Sequence, residues 1–325
     1  MGDMMKYNIA IVGATGLVGR KTLQILEEQG LNQNNIFPYA STEGKKILFG
    51  GKKLKVEKLT EENLFKNKLD FALFCTGDDV SSKFVKGLAQ RGCTVIDYSS
   101  LYRKEFPLIV PEINMDDAVG NILCNPNCST IASVMALYNI KNKFGINRII
   151  YSTYQAVSGA GRDALKEINE LKQENLKKLD FPIKNNLIPY IGNINASGRC
   201  TEEEKMIYES KKILNDFNIK ISSTTVRVPV DVGHSISIFF ETKANASWEE
   251  IRQAIEESEG VKYITHPMPL CSRNQSYVLV GRLKKDEFNE NSFSMFISSD
   301  NLRKGAAQNG VQILEKLIEE KNDCL

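Results

Sequence analysis

Asn8-Ile9-Ala10-Ile11-Val12-Gly13-Ala14-Thr15-Gly16-Leu17-Val18-Gly19 decides the fold class of this chain. The apolar run Ile9 to Val12 reads as a short buried strand. Glycines follow at Gly13, Gly16 and Gly19, a Gly-x-x-Gly-x-x-Gly spacing. Arg20 to Gln29 then reads as a helix closed by Gly30, a left-handed terminator. Strand, glycine turn and helix in that order bring backbone N–H groups close to a pyrophosphate at a helix N-terminus. The spacing differs from the usual Gly-x-Gly-x-x-Gly, so its weight comes from that context. A purely structural turn is the alternative.

Outward from this unit, Ile36 to Ala40, Leu69 to Cys75 and Thr94 to Ile96 are further strands, with a helix over Ser82 to Arg91. Alternating strands and helices imply a parallel sheet covered on both faces. The pattern changes near Cys128. Arg148 to Ala156, Ile219 to Pro229, His234 to Thr242, Tyr277 to Lys284 and Ser292 to Ser298 are strand-like. Helices are expected over Asp163 to Leu179, over Trp248 to Ser258 behind a Ser247/Glu250 capping box, and over Leu302 to Lys321. Long strands with few helices suggest an antiparallel sheet covered on one face.

The 325 residues are 42% hydrophobic and 25% charged, with 42 Lys+Arg against 40 Asp+Glu. A net charge of +2 makes no bulk electrostatic case for nucleic acid or a membrane surface. Met1-Gly2-Asp3-Met4-Met5-Lys6 leads at once into the first strand, leaving no room for a secretory apolar segment. No apolar run has bilayer length. The seven cysteines are scattered and lack metal or disulfide spacing, which fits a reducing cytoplasm and no metal site. With only two histidines, His234 and His266, histidine chemistry has few candidates.

Cys128 is the candidate nucleophile. It lies in Asn125-Pro126-Asn127-Cys128-Ser129-Thr130, before Ile131, Val134, Met135 and Tyr138, which fall on one helical face. Pro126 and Asn127 are helix-entry signals. A thiol there meets unpaired N–H groups and the macrodipole, both favouring the thiolate. A buried, inert cysteine is the alternative. For the cofactor, Ala40-Ser41 stands where an NAD-binding carboxylate is usual. Ser41, Thr42, Lys45 and Lys46 suit a 2′-phosphate instead, favouring NADP. Glu43 opposes that reading, so NAD is not excluded.

Taken together, these residues resemble the aspartate-semialdehyde dehydrogenase family over nearly the whole chain. The resemblance rests on Gly13 to Gly19, Asp97-Tyr98-Ser99-Ser100, Val110-Pro111-Glu112-Ile113-Asn114 and Asn125 to Thr130. It continues through Tyr154-Gln155-Ala156-Val157-Ser158-Gly159-Ala160-Gly161, Arg227-Val228-Pro229-Val230 with Gly233-His234-Ser235, and Ser299-Asp300-Asn301-Leu302-Arg303-Lys304-Gly305-Ala306-Ala307. Seven motifs in family order make it specific.

The resemblance implies an α/β protein with three parts. A Rossmann-type doubly wound domain spans 1–129, an α+β catalytic and dimerisation domain with a mainly antiparallel sheet spans 130–303, and a helix over 304–325 returns to the first. It implies a cytoplasmic homodimer or homotetramer. The implied reaction is NADPH-dependent reduction of L-aspartyl 4-phosphate to the semialdehyde, a branch point toward lysine, methionine, threonine and isoleucine. Cys128 is the implied nucleophile, His234 the acid–base group with a pKa near neutrality, and Gln155 the positioner of the acyl group. Arg227 would bind the substrate carboxylate, Glu202 its ammonium (with Glu203 as the alternative register), and Arg103 and Lys205 its phosphate, with Asn127 in the same site. Gly13, Thr15, Gly16, Leu17, Val18, Gly19, Ser41, Thr76, Gly77, Ser158, Gly159 and Asn301 would hold the cofactor. Departures are Glu43, Tyr98 in place of a common asparagine, and Glu204 beside Lys205 in place of a common methionine. Two rival readings remain: an N-acetyl-γ-glutamyl-phosphate reductase, whose substrate lacks an ammonium for Glu202, and a dinucleotide sensor without turnover.

Overall fold

A computed structural model describes residues 6–31 and 34–323. The Met1–Met5 part of the leader reading and the last two residues of the 304–325 segment lie outside the described residues. The chain divides into two units, Met1–Pro126 with Ala306–Leu325, and Asn127–Gly305.

The first unit is built on strands β1 (Asn8–Val12), β2 (Asn35–Ala40), β5 (Glu57–Lys58), β6 (Phe71–Phe74), β7 (Thr94–Asp97) and β8 (Ile122–Cys124), in the order β5-β2-β1-β6-β7-β8. Every ladder is parallel. Ile9 to Val12 and all of β6 and β7 are buried, which is why these strands read as continuous apolar runs. Helix α1 (Leu17–Glu28) starts three residues before the expected Arg20, directly after Gly16. Gly13 has φ +83° and its N–H donates to the Tyr39 carbonyl at 2.9 Å. A Cβ at Gly19 would lie 2.3 Å from the Gly13 oxygen, so the two glycines set the tight strand-to-helix junction.

A lysine-rich hairpin, β3 (Lys46–Phe49) with β4 (Lys52–Lys55), and the short helix α2 (Glu61–Phe65) were not expected from periodicity. Helix α3 (Asp78–Ala89) begins four residues before the expected Ser82, with Asp78 and Asp79 in its first turn, where a helix dipole favours carboxylates. Helix α4 (Pro111–Asn114) precedes β8. The helix Gln308–Asp323 completes this unit. It places Val311, Ile313, Leu314 and Ile318 in one core with Ile9, Ile11, Ile25 and Leu26. A π-helical turn over Arg303–Ala307 precedes it, so the α-helix starts later than the expected Leu302.

The second unit opens with α5 (Cys128–Phe144), β9 (Ile146–Gln155) and α6 (Arg162–Glu167). It continues through α7 (Thr201–Ile213), β10 (Lys220–Arg227), β11 (His234–Thr242), α8 (Trp248–Glu256), β12 (Val261–Tyr263), α9 (Pro269–Ser272), β13 (Val278–Lys285) and β14 (Ser292–Ser299). Its sheet runs β10-β9-β11-β14-β13-β12 and is mixed. The three central pairs are antiparallel and the outer two parallel. Tyr151, Ile238, Phe240, Phe293 and Met295 fill the covered face, while Ser152, Tyr154, Ser237, Phe239 and Phe296 alternate onto the other, more open one. Helix α5 buries Ala132, Ser133 and Ala136 besides the expected stripe.

One expected element is overturned. Asp163 to Leu179 is not a single helix, because α6 ends at Glu167. The Glu167 carboxylate accepts N–H groups from Lys177, Lys178 and Leu179 at 2.8–3.1 Å. That capture folds the chain back and leaves Leu171 exposed rather than on an apolar stripe.

Candidate active site

Asn127 is the cap that positions the sulfur. Its φ, ψ of −60°, 140° lie outside the helix, and its Oδ1 accepts Ser129 N at 2.9 Å and Thr130 N at 3.1 Å. Two donors are thereby satisfied, and Cys128, half-buried, becomes the first residue of α5. The same Asn127 ties α5 to α7 twice. Its Nδ2 donates to Glu202 Oε1 at 2.7 Å, and its backbone N–H donates to Glu209 Oε2 at 2.7 Å. Gln155, the last residue of β9, donates to Ser129 Oγ at 2.6 Å and to Glu202 Oε1 at 3.3 Å. Lys205 Nζ stands 3.6 Å from Glu202 Oε2. Glu202, Lys205, Gln155, Asn127 and Cys128 thus come together from three elements.

The register of the carboxylates is resolved. Glu203 points elsewhere: it accepts Cys200 N at 3.0 Å in a capping box and Thr225 N at 3.2 Å. Glu204 is exposed and accepts Asn195 Nδ2 at 2.6 Å. Glu203→Ala leaves two buried donors unpaired, so it is expected to lower stability by about 1–3 kcal/mol. Glu204→Ala should stay within about 0.5 kcal/mol. Denaturant unfolding of both variants checks this, and equal losses would refute the assignment.

Arg227 ends β10 opposite Gln155 and is 7% exposed. Its Nη1 donates to the Ala156 carbonyl at 2.8 Å. Burial lowers its pKa, while the Glu202 carboxylate and the Cys128 sulfur act in the opposite direction. His234 begins β11, and its Nδ1 accepts the Ala156 N–H at 2.9 Å. A neutral ring bonded in that way carries its proton on Nε2, which has no hydrogen-bond partner among the described residues. Burial, and secondly the Arg227 charge, push the His234 pKa down to about 3. The expected near-neutral titration is therefore corrected: in the free protein the ring is a neutral donor. A Cβ at Gly159 would lie 3.0 Å from Arg227 Nη1 and 3.5 Å from His234 Nε2, so a side chain there would crowd the Arg227 guanidinium.

This carries a pH dependence. Below the ordinary value of 6.5 the unfolded chain protonates this imidazole, whereas the folded one resists to about 3. Stability should then fall with falling pH across that window, by up to roughly 1.4 kcal/mol per unit. Urea unfolding of His234→Asn should show a shallower loss between pH 6 and about 4. An identical slope would place the histidine in water-like surroundings.

Other expected residues lie elsewhere. In the first unit a cleft of about 580 Å3 is lined by Gly13, Thr15, Gly16, Ser41, Thr76 and Gly77. Leu17 and Val18 form the first turn of α1, and Val18 packs against the core. Thr42, Lys45 and Lys46 are exposed and do not line this cleft among the described residues. Arg103 belongs to the first unit, where its Nη2 donates to the Tyr98 carbonyl at 2.9 Å. Tyr98 has a packing role, since a Cβ at Gly310 would fall 1.9 Å from its Oη. Ser158, Gly159 and Asn301 belong to the second unit. Asn301 accepts Gly233 N at 2.9 Å and donates to Ser158 Oγ at 2.9 Å, which anchors the backbone just before His234. Sequence reasoning missed Ser129 and Glu209. Glu209 lies seven residues after Glu202, on the same face of α7, a spacing that was there to be read.

Residues 8–121 match the model of the semialdehyde dehydrogenase NAD binding domain, and residues 137–304 that of the semialdehyde dehydrogenase dimerisation domain. An aspartate-semialdehyde dehydrogenase of Aquifex aeolicus is 44% identical, covering 97% of this chain and 99% of the relative. One from Rickettsia bellii is 41% identical, over 96% and 98%. The crystal structure of aspartate semialdehyde dehydrogenase II from Vibrio cholerae, complexed with ASA, superposes with a TM-score of 0.91 at 34% identity, over 97% of this chain and 99% of that one. With the glycine-lined cleft, the capped cysteine and its ring of polar partners already in place, this likeness over the full length assigns the chain to the aspartate-semialdehyde dehydrogenase family.

Proposed function

We propose that the protein reduces L-aspartyl 4-phosphate to L-aspartate 4-semialdehyde and phosphate with NADPH, through a thioester on Cys128. The observation that carries this reading is the grouping of a helix-capped thiol with Gln155, Glu202, Lys205 and Arg227 in one unit. An acyl phosphate offers an activated carbon. The Cys128 thiolate attacks it, the carbon–oxygen bond to phosphate breaks, and phosphate leaves. NADPH, when bound, supplies the hydride. The tetrahedral adduct on Cys128 then loses its carbon–sulfur bond, giving aldehyde and thiolate. His234 Nε2–H is a donor for the oxygen that gains charge, and in a water-poor site such a donor contributes strongly. Gln155 orients the acyl group. Arg227 takes the α-carboxylate in two parallel bonds, Glu202 the ammonium, and Lys205 the phosphate. Asn127 sets both Cys128 and Glu202.

The ammonium site favours aspartyl phosphate over an N-acetylated substrate, whose blocked amine would bring the buried Glu202 no cation beyond Lys205. The match to a dimerisation domain and the more open sheet face support an assembly of at least two copies. The reading is completed by a cytoplasmic place and a role in supplying lysine, methionine and threonine synthesis. Initial rates with aspartate semialdehyde, phosphate and each of NADP and NAD test it. Preference for N-acetylglutamate semialdehyde would overturn the substrate. Cofactor binding without turnover, and with an ordinary alkylation profile at Cys128, would favour a sensor.

A further inference from the structure

We infer that Lys83, on α3, is the residue that recognises the adenosine 2′-phosphate and sets the preference for NADP. This rests on the NADP reading above. Among the described residues that line the cleft of the first unit, Lys83 alone carries a charge. It is exposed and enters no ion pair among the described residues, so its ammonium is available. Val80, Lys83 and Phe84 fall at i, i+3 and i+4 on one face of α3, and all three line the cleft. Ala40, the last residue of β2, with Ser41 after it, and Leu59 line the same cleft.

That arrangement divides the labour. The apolar side chains of Val80, Phe84 and Leu59 suit an adenine ring. Ser41 stands at the end of the second strand, where a dinucleotide fold places the ribose 2′ position. A 2′-phosphate carries between one and two negative charges and needs a cation. A lysine on a flexible four-carbon stem supplies one as a point charge. Among the described residues no carboxylate lines the cleft, so the usual acceptor for a bare ribose 2′-hydroxyl is not found among them there. Glu43, the residue that argued for NAD, is exposed and outside the lining. The cation thus comes from α3 and not from the segment after β2, where lysines were expected.

The test compares adenosine 2′,5′-bisphosphate with 5′-AMP, ligands that differ only in the 2′-phosphate. Calorimetric titration of the full-length protein at low salt measures both, with no dependence on turnover. The wild type should prefer the bisphosphate by roughly ten- to a hundredfold, the range of a charge-assisted contact. Lys83→Met should bring that ratio close to one and leave 5′-AMP affinity unchanged, and Lys83→Arg should restore most of it. Rising salt should erode the wild-type ratio and not that of Lys83→Met. A wild-type preference that survives in Lys83→Met overturns the role of Lys83 and leaves the NADP reading standing. Equal loss of both ligands would show that Lys83 supports the cleft itself, and also overturns it. A wild-type ratio near one overturns the NADP reading together with this inference.

Discussion

Cys128→Ser is expected to abolish reduction of the acyl phosphate, by a factor on the order of 10^4 or more, while adenosine 2′,5′-bisphosphate binds as in the wild type. The helix N-terminus that Asn127 caps favours a negative charge at the first residue, an influence that can matter for a thiol, whose ordinary pKa is about 8.5. A serine hydroxyl stays protonated under the same influence. Sulfur is also the better leaving atom when the tetrahedral adduct collapses. Binding should survive because the cleft residues Gly13, Ser41, Thr76 and Gly77 belong to the other unit. Rapid quenching with mass analysis should find an acyl adduct on the wild type and none on the variant. Full turnover by the serine protein would end the covalent scheme.

Arg227→Lys should weaken substrate use through KM, by roughly a hundredfold, with a smaller fall in kcat. The guanidinium already spends one donor on the Ala156 carbonyl and keeps others in a rigid fork for a carboxylate. An ammonium in the same buried place cannot hold that carbonyl and a carboxylate in parallel. Each charge-assisted bond is worth about 1.5–3 kcal/mol, which gives the expected size. The charge is kept, so the variant should fold, and melting should confirm this. Unchanged kinetics would remove Arg227 from the site. A fall confined to kcat would mean that the contact forms only in the transition state.

What could be read from the sequence was local. Ile9 to Val12 and Gly13 to Gly19 encode a buried strand and a tight turn within a dozen residues. Asn127 before Cys128, and Ser247 with Glu250, are caps whose donors lie two or three positions away. The roles of His234 and Arg227 came instead from resemblance, because neither has a local signature. What stayed hidden depended on distant partners. Glu167 stops its helix by bonding N–H groups ten to twelve residues on. Glu202, Glu203 and Glu204 point about 100° apart around a helix axis, so only the packing of α7 selects Glu202. The depressed pKa of His234 follows from burial beneath groups remote in sequence. Lys83 sits on a helix away from the strand end where such a cation was sought.

The insertion of Asn127–Gly305 between the two parts of the first unit has a consequence for biosynthesis. A ribosome releases the glycine-loop sheet early, but Val311, Ile313, Leu314 and Ile318, which share its core, are made only after the whole inserted unit. Until they emerge, the nascent sheet lacks one wall of its interior. The inserted unit, whose strands are all complete by Ser299, is free to fold first. The core of the nucleotide-binding half therefore cannot be completed until the inserted unit has been synthesised.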